Sequence, residues 1–378
     1  MRTQGVRRWI GVLALTAAAV LTVPAVARAA TVPELALPAP TGPYPVGVAD
    51  LHLVDKRRAD PWVPSERREL MVSLWYPAAS RGGAPRPYAT AAESALILDD
   101  LEVEGVPSDA LTTVRTYARL GVPAGATRRG WPVVLLSPGF GSPRASLTAL
   151  AEDLASRGYL VAGVDHNYEA AAITFPDGRV TTCRACDLLD GGDPDAGVRV
   201  ARGRAADLAF TLTQLTTHRL PGGVRLDPSA VAVAGHSIGG ASAAVTMLSD
   251  RRFDAGINMD GTFFPPVTTA LNRPFLMLGN PGHDSAGGDD SWLTTWRHLT
   301  GGRRWLTVTG TTHSSFTDFA VLGDQAGIPV QPLPGGRCAE ITRAYVAAFL
   351  DRTLRHRPAP LMSGPSPAYP EVIWQPAS

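Results

Sequence analysis

Eight apolar runs rich in β-branched residues recur between residues 48 and 313: VADLHLV, ELMVSLWYP, WPVVLLSPG, GYLVAGVDH, SAVAVAGHS, AGINMDG, RPFLMLGN and RRWLTVTGTTH. Several are apolar throughout instead of alternating, the pattern of strands covered on both faces. Amphipathic stretches of helical length lie between them, at 146–157, 198–218, 238–249, 291–300 and 339–354. Strand–helix alternation from residue 132 onward predicts an α/β fold, a mainly parallel sheet of about eight strands with helices on both faces. The first two runs follow each other without a helix and predict an antiparallel pair at one edge. No internal repeat is present, and one domain over 48–355 accounts for the pattern more economically than two. Two insertions interrupt it. Residues 80–130 carry two helical pieces, AAESALILDDLEVEG and SDALTTVRTYARLG, and residues 176–197 form a turn-rich loop. Each reads as a lid or as surface padding. Residues 356–378 read as a C-terminal tail.

The N-terminus follows a different rule. Arg2, Arg7 and Arg8 precede an apolar run from Val12 to Val23, and Ala27-Arg28-Ala29 supplies a small-x-small cleavage pattern. Residues 1–29 therefore read as a secretory signal peptide, with Arg7-Arg8 as a possible twin-arginine pair, and residues 30–47 as a Pro-rich leader. Export is the expected localisation. The formal charge of +1 includes the four signal arginines and no signal acids, which leaves a processed chain near −3. Such a chain has no basic excess for a polyanion, so nucleic acid is not an expected partner. Hydrophobic residues at 45% and charged residues at 18% fit a globular protein, read here as a monomer.

Three cysteines belong to an oxidising compartment. Cys183 and Cys186 sit in the 176–197 loop, and Cys338 opens the last helical stretch. Either loop cysteine could bond to Cys338, or the first two could close on each other, and the spacing leaves all three pairings open. No zinc-ligand spacing is present, and no metal or cofactor is expected.

The candidate chemistry centres on AVAGHSIGG, residues 232–240. A lone G-x-S-x-G match is weak in a chain with 38 glycines. Here a β-rich run precedes it and an Ala-rich helical stretch follows, the strand–turn–helix context of a nucleophile elbow. Ser237 is the candidate nucleophile. A serine hydroxyl is unreactive at neutral pH without a base, an orienting acid and donors for the developing oxyanion. Of the eight histidines, His313 is the candidate base, because it ends a strand and opens a turn; His283, in the Gly-rich GNPGHDSAGGDD, is its rival. The acid is Asp260 at the end of AGINMD, or else Asp284, Asp289 or Asp290, which share the loop of His283 and offer a weak cation site. The backbone N–H groups of Ile238 and of Phe140, in the turn LLSPGFGSPR, are the candidate oxyanion donors.

With these residues in place, the chain resembles the plasma-type (secreted) platelet-activating-factor acetylhydrolase family and its bacterial relatives within the α/β-hydrolases. The similar pieces are LWYPA, LLSPGFGS, GVDHNY, GHSIGG, INMDGTFFP and HSSFTDF, which follow the family's order across roughly residues 48–350. The resemblance implies an α/β-hydrolase fold, with Ser237 as nucleophile, Asp260 as acid, His313 as base and the N–H groups of Phe140 and Ile238 as oxyanion donors. Two features depart from it. Ser137-Pro138 stands where many relatives carry Ser-His, and the 80–130 insertion has no counterpart. The lipid-surface helices of some relatives have no match, so lipid association is not implied. Phe263, Phe264 and Pro265 either wall the site or pack in the core.

The function expected from these residues is that of an exported, cofactor-free serine esterase acting on short-chain acyl esters or acetyl-phospholipid-like substrates. Competing expectations are a lipase- or cutinase-like hydrolase of longer esters or polyesters, an acyltransferase, and a binding protein on a hydrolase scaffold.

Overall fold

Period-two alternation persists inside strands that are buried on both sides. In the strand Trp131–Ser137, Val134 and Leu136 point into one apolar layer, while Val133 and Leu135 point into the other. Two layers of helix therefore sandwich the sheet. The computed structural model describes residues 34–189, 193 and 195–375, so the expected signal peptide at 1–29 lies outside the described residues.

Ten strands form the main sheet: β1 (Val46–Ala59), β2 (Arg67–Pro77), β3 (Arg119–Leu120), β4 (Trp131–Ser137), β5 (Leu160–His166), β8 (Leu226–His236), β9 (Ala255–Met259), β10 (Phe275–Gly279), β11 (Arg303–Val308) and β12 (Val372–Trp374). A separate hairpin joins β6 (Ile173–Thr174) to β7 (Val180–Thr181). The sheet order is β12-β11-β10-β9-β8-β4-β5-β2-β1-β3. The six strands from β11 to β5 run parallel, and β2 joins them antiparallel through β5. The β1–β2 pair is antiparallel, as its uninterrupted sequence predicts. The helices are α1 (Ala91–Asp100), α2 (Thr148–Ser156), α3 (Arg184–Leu189), α4 (Ala196–Thr217), α5 (Ile238–Ser249), α6 (Asp290–His298), α7 (Phe319–Gln325) and α8 (Gly335–Leu354). Leu150 and Leu154 of α2 pack with Tyr345 and Phe349 of α8 on one face; Leu208 and Leu212 of α4, Met247 of α5 and Trp292 of α6 pack on the other.

The strand count exceeds the expected eight or so because β3 and β12 are only 2 and 3 residues long, too short to show a pattern. The helix expected over SDALTTVRTYARLG does not form. Only a 3₁₀ turn at Ala110–Thr113 appears, and Val114 beyond it is extended. The N–H groups of Tyr117 and Ala118 donate instead to the Glu152 carboxylate at 2.9 and 2.7 Å, and Arg119–Leu120 pair with β1. Partners distant in sequence took the N–H groups a helix would have needed. The flanking segments also fold in. Leu35 and Leu37 are buried beside Ile97 and Leu111 in a satellite cluster, so the described part of the 30–47 leader packs with the 80–130 insertion. Beyond residue 355, Met362 is buried in the main core and β12 pairs antiparallel to β11.

Candidate active site

The C-terminal ends of β8, β9 and β11 open onto one edge of the sheet, the edge where ligands bind in open α/β sheets. At the end of β8 the chain must turn sharply into α5. Ser237 sits at that turn with φ 56° and ψ −129°, a left-handed conformation that a non-glycine residue rarely adopts. Its N–H donates to Met259 O at 2.9 Å. A side chain at Gly235 would run into the backbone of Gly239, and one at Gly239 would strike Ser137 O. Bare backbone at both positions is what allows strand, helix and the β4 turn to meet.

Asp260 follows β9 with φ 59°, and its N–H donates to Leu278 O at 2.8 Å. Asn258 braces this turn, donating from Nδ2 to Gly261 O at 2.7 Å and accepting from Gly261 N–H at 2.8 Å. His313 opens a 3₁₀ turn after β11. Its Nδ1 lies 2.7 Å from Asp260 Oδ2, and its Nε2 lies 2.9 Å from Ser237 Oγ. The structure thus joins Ser237, His313 and Asp260 in one hydrogen-bonded chain. Asp260 is fully buried, and Asn280 holds it: the backbone N–H donates to Oδ1 at 2.6 Å and Nδ2 to Oδ2 at 2.8 Å. With Nδ1–H donating to the carboxylate, the Nε2 lone pair faces the serine hydroxyl, the arrangement a general base requires.

The rival residues do other work. His283 stacks on Trp292 with ring centroids 4.7 Å apart and pairs with Asp289 at 3.2 Å; its Nε2 comes no closer than 3.9 Å to Asp260. Asp289 caps α6 by accepting from Ser291 N–H at 2.8 Å, and Asp284 accepts from Ala286 N–H at 2.9 Å in its own loop. Among the described residues, no three His, Cys, Asp or Glu side chains gather as a metal site, the Asp284–Asp290 loop included. Cys183 bonds to Cys186, and Cys338 stays a buried free thiol.

Phe140 and Ile238 line the same open cavity of about 530 Å³ as Ser237, Asp260 and His313. A Cβ on Gly139 would lie 3.5 Å from the Ser237 Cβ, so the 137–141 turn rests against the serine. Ile238 is the first residue of α5, where an N–H has no acceptor within the helix. Of the two phenylalanines after Asp260, Phe263 is core, whereas Phe264 is 40% exposed and walls the cavity.

Two groups of residues have a part here that the sequence does not assign them. His236 donates from Nε2 to His313 O at 2.8 Å. Its pKa is pushed down to about 4, first by burial and then by the neighbouring His313. It is neutral at neutral pH, so it places no cation beside His313. Behind the 137–141 turn lies a buried network of Arg68, Arg204, Asp60, Glu169, Asp207 and His166, each at most 2% exposed, which the partly exposed Arg58 joins through Asp207. They are scattered over two strands, two loops and α4, so no local spacing marks them as a set.

A mainly parallel sheet with a serine turn, an acid and a histidine at its carboxyl edge defines this as an α/β-hydrolase, and its relatives make it a carboxylic ester hydrolase. The family model described as "Platelet-activating factor acetylhydrolase, isoform II" matches residues 29–179 and 202–328, and the chain belongs to that family. It is 28% identical to the "Probable 1-alkyl-2-acetylglycerophosphocholine esterase" of Arthroderma benhamiae, over 89% of this chain and 93% of that protein. It is 29% identical to the platelet-activating factor acetylhydrolase of Cavia porcellus, where the match spans 51% of this chain and 50% of the relative. Among solved structures, a ferulic acid esterase from Streptomyces cinnamoneus superposes with a TM-score of 0.80 at 44% identity, covering 90% of this chain and 99% of that one.

Proposed function

We propose that this ester hydrolase is exported and works through an acyl-enzyme on Ser237, with His313 as general base and acid and Asp260 as the orienting carboxylate. The observation that carries the reading is the hydrogen-bonded chain from Ser237 Oγ through His313 to Asp260, at 2.9 and 2.7 Å, on the floor of an open cavity. As Oγ attacks the ester carbonyl carbon, its proton passes to His313 Nε2. The carbonyl π electrons move to oxygen, and the N–H groups of Phe140 and Ile238 receive that oxyanion. Collapse of the tetrahedral species breaks the bond to the alkoxy oxygen, which leaves with the proton from Nε2. Water then repeats the sequence on the acyl-enzyme and releases the acid. Export rests on the N-terminal sequence pattern alone, and an N-terminus at Ala30 on protein collected from the medium checks it.

Membership of the acetylhydrolase family supports a short acyl group, which the open cavity of about 530 Å³ can hold. A second reading, a hydroxycinnamoyl ester, is favoured by the similarity to the ferulic acid esterase together with the apolar wall of Phe140, Val200, Ile238 and Phe264. The experiment is a kcat/KM panel of p-nitrophenyl acetate, butyrate and octanoate with methyl ferulate, run beside Ser237→Ala. The proposal expects acetate and butyrate to exceed octanoate, and Ser237→Ala to lose both activity and fluorophosphonate labelling while staying folded. Methyl ferulate above acetate selects the second reading, octanoate above both selects a lipase-like enzyme, and activity of Ser237→Ala within tenfold of wild type ends the mechanism.

A further inference from the structure

The buried network behind the 137–141 turn contains a second serine–histidine–aspartate chain. Ser137 Oγ lies 3.0 Å from His166 Nε2, and His166 Nδ1 lies 2.8 Å from Asp207 Oδ2. The connectivity repeats that of Ser237, His313 and Asp260, but Ser137 is fully buried, so no ester reaches it. What this cluster touches is the turn. Arg204, on α4 and 1% exposed, donates from Nη1 to Pro138 O at 2.5 Å and reaches Ser137 Oγ at 3.5 Å; its Nη2 lies 3.4 Å from Gly139 O. Its Nε donates to Glu169 Oε2 at 2.7 Å. Glu169 in turn accepts from Trp62 Nε1 at 2.8 Å and pairs with Arg68 at 3.1 Å, while its own carbonyl takes the N–H of Gly141 at 3.0 Å.

Two general facts turn this inventory into a direction. A trans peptide points its C=O and its N–H to opposite sides. With Gly139 O turned toward Arg204, the N–H of the same peptide unit, that of Phe140, turns away from the network and toward the Ser237 side. Second, a buried charge gives up its hydration, and a buried ion pair is seldom more stable than apolar packing of the same volume. Stability alone is thus a poor reason to bury the Arg204–Glu169 pair against the turn, whereas fixing a peptide orientation with a rigid five-donor fork is what a guanidinium does well.

We propose that Arg204 is a positioning residue for ester cleavage, clamping the carbonyl groups of Pro138 and Gly139 so that the Phe140 N–H is held ready for the oxyanion on the Ser237 side. The clamp rests on the reading of Phe140 N–H as an oxyanion donor. His166 completes it from the other side. Burial, and next the charge of Arg204, lower the His166 pKa, so the ring is neutral. Nδ1–H then donates to Asp207, and Nε2 accepts the Ser137 proton, leaving the Ser137 lone pairs toward Arg204.

The test compares wild type with Arg204→Lys, which keeps the charge but not the fork, and with Arg204→Met/Glu169→Gln, which removes both charges and so guards against misfolding from an orphaned carboxylate. Steady-state kinetics on p-nitrophenyl acetate, the Ki of phenylboronic acid and the melting temperature are read for each. The boronate is a tetrahedral anion on Ser237 and needs the oxyanion donors. Expected is a kcat lower by about 10- to 100-fold, less than or near the loss of a whole donor, with KM within about threefold and boronate Ki weakened in step with kcat/KM. A kcat within about threefold of wild type in either folded variant overturns the clamp, as does a kcat loss with unchanged boronate affinity. Phe140→Pro, which deletes the N–H, against Phe140→Leu, which keeps it, separates the two ideas. If the proline variant matches the leucine variant, the donor reading has failed; if it falls about 100-fold below while both Arg204 variants stay active, only the clamp has failed.

Discussion

His236 Nε2 donates to the backbone carbonyl of His313 at 2.8 Å, so the residue next to Ser237 holds the turn that carries His313. Because a carbonyl can only accept, the Nε2 position must carry a proton, and Nδ1 of the buried ring is left without a partner. The relationship ties two strand ends, those of β8 and β11, through one side chain. It also makes His236 a titration site with a defined sign. Its folded pKa of about 4 lies below the ordinary histidine value of about 6.5. As pH falls, the unfolded chain therefore binds the proton first. The stability contribution is complete above about pH 6.5 and is lost as pH falls toward 4, about 3 kcal/mol over the window. His236→Gln, which can still donate to His313 O, should flatten the melting-temperature profile between pH 6.5 and 4 without abolishing it, because His166 is shifted in the same direction. Parallel profiles for variant and wild type would assign the slope elsewhere.

The choice of acid is decided by comparing two amides. Asp260→Asn places an NH₂ or a weaker acceptor against Nδ1 and favours the wrong imidazole tautomer; kcat should fall by about 10³- to 10⁴-fold with the fold intact. Asp284 accepts only a backbone N–H within its loop, so Asp284→Asn should stay within about threefold of wild type. A larger loss at Asp284 than at Asp260 reverses the assignment.

Glu152 offers an opposite pH signature. Burial raises its carboxyl to about 7 despite hydrogen bonds from the Ala118 and Tyr117 N–H groups. The folded pKa exceeds the unfolded one, so the protonated side chain is favoured by folding below about 4.5, and that advantage is lost as pH rises through 7. Glu152→Gln keeps an oxygen for both N–H groups and removes the charge. It should raise the melting temperature at pH 8 by a few degrees, roughly 1–3 kcal/mol, and change it little at pH 5. Equal shifts at both pH values would show that the charge is not what costs stability.

The cysteines predict a simple thiol count. With Cys183 bonded to Cys186 and Cys338 buried, native protein should give no rapid reaction with a thiol reagent, and unfolded, unreduced protein should give one thiol per chain. Burial also pushes the Cys338 thiol up to about 11, which keeps it protonated and slow. Two or more thiols in the unfolded, unreduced chain exclude the bonded pair.

What was legible in the sequence is what depends on strand ends. Ser237 and Asp260 directly follow an apolar run and His313 follows another after four intervening residues, so the order of runs and the carboxyl-edge rule bring them to one rim. Arg204 and Glu169 were illegible for the complementary reason. Along α4 an arginine among alanines looks like a solvated position, and nothing local says that a glutamate 35 positions earlier waits for it inside. The misread helix around residue 117 failed in the same way, since Glu152 captures its N–H groups from 35 residues away. The cysteine pairing stayed open because spacing alone does not choose a partner.

The cavity wall yields a prediction about substrate size. Gly197, in the first turn of α4, faces Phe264 so closely that an added Cβ would lie 2.6 Å from its ring. Something must yield, and the ring is the part able to do so, being 40% exposed at the cavity rim, whereas the helix backbone is fixed by its own hydrogen bonds. Gly197→Ala should therefore turn the ring without unfolding the helix, where alanine is favoured over glycine by about 0.5–1 kcal/mol. If the ring swings across the cavity, hydrolysis of p-nitrophenyl butyrate and methyl ferulate should drop by about tenfold while acetate changes less than threefold, since lost acyl contacts of this size carry roughly 1–3 kcal/mol. Phe264→Ala in the Gly197→Ala background removes the displaced ring and should restore the larger substrates toward wild type. Restoration separates a moved wall from a distorted nucleophile turn. If acetate and butyrate instead fall together and the second substitution recovers neither, Phe264 does not define the acyl pocket.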